Sequence, residues 1–248
     1  MLSAALGLEG ARVISLCGAG GKTTLMFALA REFVARGERV LVTTTTKIAR
    51  AEAAGAEPGA RTAMLLFSGV TPDGRKLTGI GPALVDALSR TGEFDRILVE
   101  ADGAARRPLK ASAPHEPVIP SSTDALIAVA GLNGLGLPLQ EVNVFRAEIW
   151  ARLTGTRLGT PVDASSIACM IVHTQGFFKG CPPGAKRVLF LNRADTPERL
   201  GAAMQVVELL ASSRVRAPER VALGCLLPTP RIGGGAQVLA AESGARNP

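Results

Sequence analysis

The chain has 248 residues, of which 28 are lysine or arginine, 21 are aspartate or glutamate and 47% are hydrophobic, so its formal net charge is +7. This size suits one large α/β domain, and no apolar run approaches the roughly 20 residues of a membrane span. The positive charge suits phosphorylated ligands or an acidic partner, whereas sparse aromatic residues and the lack of a Lys/Arg-rich run argue against nucleic acid as a partner.

Two further features of the sequence concern the cellular compartment of the protein. The N-terminus lacks the charged, apolar and cleavage regions of a signal peptide, so we expect a cytoplasmic protein without membrane contact. The four cysteines form no C-x-x-C pair, which indicates reduced thiols and not a disulfide framework.

The N-terminal part of the chain has the pattern of a βαβ unit. Arg12–Cys17 is predicted to be a strand, Thr24–Arg36 a helix ended by Gly37, and Arg39–Thr44 a second strand. Strands joined through a helix in this way are parallel and form a right-handed crossover. The two strands are therefore expected to be parallel members of one sheet.

The turn between the first strand and its helix has the composition of a phosphate-binding loop. It reads Gly18, Ala19, Gly20, Gly21, Lys22, Thr23 and Thr24. Glycines let main-chain N–H groups approach an anion, and the following helix presents unpaired donors at its positive end. Lys22 is expected to reach the β and γ phosphates and the Thr23 hydroxyl to bind Mg²⁺. The spacing is shorter than the standard G-x-x-x-x-G-K-[ST] and closer to the loop of Mur-type ligases, and it predicts binding of ATP or GTP.

Polar residues follow the second strand. Thr45 and Lys47 are expected at the carboxyl edge of the sheet, where open α/β sheets bind ligands. The alternative is structural, because threonine is a good strand former and Thr46 is a suitable N-cap for a helix near Ile48–Ala54. Farther on, 63–67 is predicted to be a strand, 69–81 a hairpin and 82–90 a helix that begins with proline.

The segment 95–103 is an apolar strand that ends in acids, the pattern of a Walker B strand. Glu100 and Asp102 lie two residues apart and so share a face in a strand. One is expected to hold Mg²⁺ and the other to orient or deprotonate an attacking water, so both join Lys22 as candidate catalytic residues.

A proline-rich loop, 104–120, follows this strand and is a natural place for substrate contacts. Arg106 and Lys110 are expected to clamp a phosphate or carboxylate. His115, beside Glu116, is a candidate for acid/base chemistry or for binding a second metal. Solvated side chains on an ordered loop are the alternative.

The C-terminal half continues the alternation of strands and helices. Strands are predicted over 123–130, 188–192 and 220–226, and helices over 143–153, 165–173 and 197–212. Arg146, near the start of the first of these helices, is either an arginine finger or a packing residue. Cys169, His173 and Cys181 do not have a zinc spacing.

The strand over 188–192 ends in Asn192-Arg193-Ala194-Asp195, which is close to the N-K-x-D motif that recognises guanine in GTPases. Asp195 would accept from the base and Asn192 would support the loop and base. The motif favours guanine, and adenine stays open. Residues after 233 are predicted to form a loose tail, so the expected organisation is one domain over 1–232 and a tail over 233–248.

Taken together, these motifs resemble the YqeC family. The resemblance is carried by the phosphate loop, the Thr-rich strand end at 42–48, the Glu100–Gly103 segment with 106–110, the segments 115–117 and 176–180, and Leu191–Asp195. It implies a P-loop NTPase that assists maturation of a selenium-dependent molybdenum hydroxylase, with that enzyme or its cofactor-maturation proteins as partners. The expected fold is a three-layer α/β/α sandwich with a mostly parallel sheet.

The motifs therefore favour a Mg²⁺-dependent nucleotide hydrolase, and the resemblance implies an accessory role for it. Two alternatives remain. One is a kinase or a Mur-like ligase that acts on a small anionic acceptor bound by the 104–120 loop. The other is a non-catalytic module that carries nucleotide as a structural or switch ligand.

Overall fold

The computed structural model describes residues 1–50, 63–213, 217–226 and 237–241. In these ranges the strands are β1 Val13–Gly18, β2 Val40–Thr44, β3 Lys47–Ala49, β4 Ala63–Leu66, β5 Gly69–Val70, β6 Lys76–Thr78, β7 Arg96–Glu100, β8 Leu109–Lys110, β9 Ala125–Gly131, β10 Val144–Phe145, β11 Lys186–Asn192, β12 Arg220–Cys225 and β13 Gln237–Ala241. The helices are α1 Leu2–Ala5, α2 Lys22–Ala35, α3 Pro82–Thr91, α4 Ala147–Thr154, α5 Ala164–Val172 and α6 Pro197–Ala211, with one 3₁₀ turn at Leu132–Gly134.

The main sheet has eight strands in the order β4-β2-β7-β1-β9-β11-β12-β13. Seven of them are parallel, and β13 is antiparallel to β12. The chain first moves outward from β1 to β2 and β4, returns to place β7 between β1 and β2, and then adds β9, β11 and β12 on the other side. Because the direction changes around β1, the carboxyl end of this strand lies at the kind of crevice where open α/β sheets bind ligands.

Helices cover both faces of the sheet, because strands buried on both faces need apolar cover on each side. Alternate side chains of the central strands pack against α1 and α2 on one face, and the intervening ones pack against α3, α4, α5 and α6 on the other. Trp150 of α4 is fully buried and donates from Nε1 to Ser166 Oγ at 2.8 Å. The predicted three-layer α/β/α sandwich with a mostly parallel sheet is confirmed.

Two small sheets flank the main one. Strands β3, β6 and β5 form an antiparallel sheet that contains the predicted hairpin. Strands β8 and β10 pair in parallel and join the proline-rich loop to the segment before α4. No helix in the described ranges is long and apolar enough to cross a bilayer.

Three local predictions differ from the structure. Lys47–Ala49 is a strand and not the start of a helix, because β6 pairs with it; residues 51–54 of the predicted helix lie outside the described residues. The helix predicted from Asn143 begins only at Ala147, since Val144 and Phe145 pair with β8. Gln237–Ala241, in the predicted loose tail, form β13 at the edge of the main sheet.

Candidate phosphate-binding site

The Gly-rich turn links the end of β1 to the start of α2, and its shape requires glycine. Gly18, Gly20 and Gly21 have φ values of 93°, 83° and 133°, which L side chains rarely adopt. A Cβ at Gly20 would lie 2.5 Å from the Cα and the N of Gly131, and one at Gly18 would collide with the carbonyl of Val129. The turn is thus packed against the end of β9 with no room for side chains on that side.

This packing leaves the turn with free main-chain donors. The N–H groups of Gly18 and Ala19 donate to Asp102 Oδ2 at 3.1 Å and to Val129 O at 2.8 Å. Farther along, the described part of the chain provides no hydrogen-bond acceptor for the N–H groups of Gly20, Gly21, Lys22, Thr23 and Thr24. Five successive unpaired donors at the N-terminus of a 14-residue helix are suited to binding an anion.

The ammonium group of Lys22 lies inside the turn. It donates to Gly18 O at 2.7 Å and lies 3.2 Å from Asp102 Oδ1 and 3.6 Å from Glu100 Oε1. Burial alone would lower the pKa of Lys22, but the charges of Asp102 and Glu100 outweigh it and hold the pKa above its usual range. Lys22 is therefore a buried cation at neutral pH, beside the five free donors.

The two acids at the end of β7 have different environments. Glu100 Oε2 accepts from the Thr23 hydroxyl at 2.8 Å, and this carboxylate is slightly exposed. Asp102 is fully buried, with Lys22 on one oxygen and Lys110 Nζ 2.8 Å from the other. A hydroxyl and a carboxylate in contact are oxygen donors of the kind that Mg²⁺ prefers.

Lys110 extends this group of charges away from the turn. Its Nζ also bonds Gly103 O and Glu116 Oε2, each at 2.7 Å, and its side chain is 1% exposed. Glu116 in turn accepts from both terminal nitrogens of Arg146, at 2.6 and 2.9 Å. Burial would raise the pKa of Glu116, but the hydrogen bonds from Arg146 and Lys110 lower it to about 2.

Asn192, the last residue of β11, also holds the Gly-rich turn in place. Its buried amide donates to Gly20 O at 2.7 Å and accepts from Leu226 N at 2.9 Å. Asp195 is partly exposed; Oδ1 lies 2.6 Å from Arg199 Nη1 and Oδ2 accepts from Cys225 Sγ at 3.4 Å. The structure thus places Asn192 against the Gly-rich turn and Asp195 near the surface, close to the end of β12.

Other predicted site residues lie farther out. Thr45 Oγ1 donates to Val118 O at 2.6 Å, so it ties the end of β2 to the proline-rich loop. Lys47 is exposed on β3, and His115 is exposed on the proline-rich loop. For the described residues, no hydrogen bond or ion pair joins Lys47 or His115 to the Gly-rich turn. Arg106 is exposed with a left-handed φ of 61°.

Some contacts of the site have no signal in the sequence. Pro108 O accepts from Gly131 N at 2.9 Å, and both residues border Gly20. Lys179, in the Gly176–Gly180 segment, donates to the carbonyls of Ala113 and Pro114 at 2.6 and 2.9 Å. Gly176 and Gly180 indicate a turn, but no sequence motif predicts which residues Lys179 or Pro108 contacts.

The fold and the site define an α/β sandwich of the P-loop NTPase type, with the Gly-rich turn, Lys22 and the acids of β7 at one edge of the sheet. Comparison with known proteins assigns the family. Residues 14–148 match the family described as YqeC protein. A protein of Escherichia coli (strain K12), described as "Uncharacterized protein YqeC", is 37% identical over 217 residues, which cover 83% of this chain and 85% of the relative. The chain belongs to the YqeC family.

Proposed function

We propose that this protein binds a nucleoside triphosphate at the Gly-rich turn and hydrolyses it. The observation that carries the proposal is the row of five unpaired N–H donors, Gly20 to Thr24, next to the buried ammonium of Lys22. A polyphosphate would supply acceptors to these donors and would attract Lys22 away from Gly18 O. Lys22 would then stabilise the charge on the phosphoryl group that is transferred.

Mg²⁺ is the cation that we propose for the site, and Thr23 and Glu100 are the residues that would hold it. Their oxygens are already in contact at 2.8 Å. The described residues contain no cluster of three or more His, Cys, Asp or Glu side chains that could hold a metal. This fits Mg²⁺, which is usually bound through one or two carboxylates together with substrate phosphates and water. When bound, the cation neutralises phosphate charge.

Asp102 has a different proposed role. Because it is fully buried between Lys22 and Lys110 and also accepts from Gly18 N, it is suited to holding the turn and its lysine in place. Glu100 is 6% exposed whereas Asp102 is fully buried, so Glu100 is the better candidate for orienting the attacking water. Thr45, Lys47, Arg106 and His115 remain candidates for contacts to phosphate or acceptor at the rim.

The base would be read at the end of β11. Asn192 Nδ2 bonds the phosphate loop through Gly20 O, which supports its proposed role as a brace between loop and base. The Asp195 side chain is 33% exposed, and accessibility is what a carboxylate that accepts from guanine requires. The pKa of Asp195 lies below its usual range: burial would raise it, but the hydrogen bonds from Arg199 and Cys225 lower it, so the acceptor is ionised.

In the cell, we propose that this protein is a cytoplasmic accessory factor that couples nucleotide turnover to maturation of a selenium-dependent molybdenum hydroxylase. Membership of the YqeC family supports this role. The partners would be that enzyme or proteins that mature its cofactor.

Thermal unfolding with ATP, GTP and their diphosphates, with and without Mg²⁺, tests the binding step, because ligands that bind only the folded chain raise its melting temperature. Lys22→Ala should remove the shift, whereas Lys76→Ala, at an exposed lysine of β6, should keep it. Thr23→Val should remove only the Mg²⁺ dependence. Asp195→Ala should abolish the preference among bases. If the variant keeps the preference of the unmodified protein, the base assignment is refuted.

Phosphate release then separates the three functions. A hydrolase releases phosphate from Mg²⁺ and nucleotide alone, whereas a kinase or ligase needs its acceptor. A binding module is stabilised by nucleotide and shows no turnover with any partner. If no nucleotide shifts the melting temperature of the unmodified protein, the proposal fails at its first step.

A further inference from the structure

Six charged side chains of alternating sign run from the Gly-rich turn to the surface. In order they are Glu100, Lys22, Asp102, Lys110, Glu116 and Arg146. Three acids face three bases, and each ion-pair distance lies between 2.6 and 3.6 Å. We refer to these six residues as the charge chain. Phosphate binding uses its inner end, and nothing in the proposed chemistry uses its outer half.

We propose that Lys110, Glu116 and Arg146 are positioning residues, which determine how firmly Asp102 retains Lys22 and so tune the affinity of the turn for phosphate. This inference rests on the proposed function, because it needs nucleotide to bind at the Gly-rich turn. It concerns the regulation of that site.

Lys110 is shared among several acceptors. An ammonium group has three hydrogens, and Lys110 has three acceptors: Asp102, Glu116 and Gly103 O. Asp102 is shared in the same way between Lys110 and Lys22. In a buried site, where charges interact strongly, a change in one of these pairs is expected to redistribute the next.

The direction of each effect follows from this sharing. Without the charge of Glu116, Lys110 moves toward Asp102, Asp102 holds Lys22 less firmly, and Lys22 is freer to bind phosphate. Without the charge of Arg146, Glu116 attracts Lys110 more strongly. Asp102 is then paired mainly with Lys22 and holds it more firmly, so Lys22 is less free to bind phosphate. Glu116→Gln should therefore tighten nucleotide binding and Arg146→Gln should weaken it.

Arg146 is well placed as the outer end of the chain. It makes two parallel bonds to Glu116, its guanidinium lies 4.4 Å from the centre of the Phe145 ring, and its φ of 63° is unusual for a residue with a side chain. It also lines an open groove with Leu139, Ile149 and Leu158. The charge chain thus connects the buried turn with an accessible surface next to α4.

A double-mutant cycle tests the inference. The dissociation constants of Mg-ATP and Mg-GTP are measured by calorimetry for Arg146→Gln and Glu116→Gln, alone and with Lys110→Met. We expect a change of about fivefold or more for each single variant, typical of coupled sites, and its loss in the Lys110→Met background. Arg107→Gln is the control, because it removes a charge equal to that of Arg146 but lies on the proline-rich loop, where its side chain donates to the main-chain oxygens of Ala105 and Glu141.

Direct long-range attraction would give a different result. In that case the effect of Arg146→Gln would persist without Lys110, and Arg107→Gln would have a comparable effect; either result overturns the inference while nucleotide binding stands. If no nucleotide binds the unmodified protein, the proposed function and the inference fall together.

A second measurement needs no variant and covers the case in which Lys110→Met fails to fold. Coupling between two sites is reciprocal, so nucleotide must change the Glu116 end of the chain if that end changes nucleotide affinity. Hydrogen exchange of the main-chain N–H groups of residues 111–118, with and without Mg-nucleotide, should differ by about fivefold or more. Unchanged exchange at 111–118 with clear protection at 20–24 would overturn the inference.

Discussion

The sharpest test of the site geometry is Gly20→Ala, because the structure fixes both its conformational and its packing cost. Gly20 has a φ of 83°, and an added Cβ would lie 2.5 Å from two atoms of Gly131 and 2.7 Å from Pro108 O. All three are main-chain atoms, which cannot rotate away as a flexible side chain can. The contact is closer than a carbon atom tolerates, so either the turn or the end of β9 must move.

The two costs can be separated with a matched control. A left-handed conformation costs a residue with a side chain about 1–2 kcal/mol. Overpacking adds about 1–3 kcal/mol, so Gly20→Ala should lower the free energy of unfolding by about 2–5 kcal/mol. Gly37, after α2, has nearly the same φ of 80°, but nothing lies within 4 Å of its added Cβ. Gly37→Ala should therefore show only the conformational cost.

Equilibrium unfolding in urea measures both variants, with the single tryptophan, Trp150, as the fluorescent probe of the buried α4 face. The expected difference between the variants is about 1–3 kcal/mol, the overpacking cost alone. Gly20→Ala should also reduce stabilisation by nucleotide, and Gly37→Ala should leave it intact. If the two variants lose the same stability, the close packing of Gly20 against Gly131 and Pro108 is wrong.

Two other predictions test neighbouring contacts. Asn192→Ala removes bonds to Gly20 O and Leu226 N in a buried position, so it should cost about 1–3 kcal/mol of unfolding free energy in the same urea assay. Asn143→Ala, at an exposed amide, should cost less, and equal losses would refute the bracing role. The pKa of Glu116 is lowered from 4.5 to about 2, so its stabilising effect is present above pH 4.5 and is lost as the pH falls toward 2. The stability difference between the unmodified protein and Glu116→Gln should shrink over this pH interval; a constant difference would contradict the ionised pairing with Lys110 and Arg146.

Much of the fold follows from local patterns. Apolar runs bounded by glycine and proline predict β1, β2, β7, β9, β11 and β12, and each is present within a few residues. The exceptions are segments whose state depends on a distant partner. Lys47–Ala49 is a strand because it pairs with β6, and 237–241 is a strand because β12 offers its edge. Neither partner can be read from the neighbouring residues.

In the candidate site, too, some features follow from the local sequence and others depend on distant contacts. The sequence by itself determined the Gly-rich turn, because Gly18, Gly20 and Lys22 encode its backbone shape and its charge locally. Only the tertiary structure decided which partner each charged side chain has. In the structure the Thr23 hydroxyl donates to Glu100, and Asp102 lies between Lys22 and Lys110, a residue that the sequence predicts to clamp a phosphate or carboxylate. Spacing along a chain specifies local conformation, whereas the pairing of buried charges depends on which strands and loops the fold brings together.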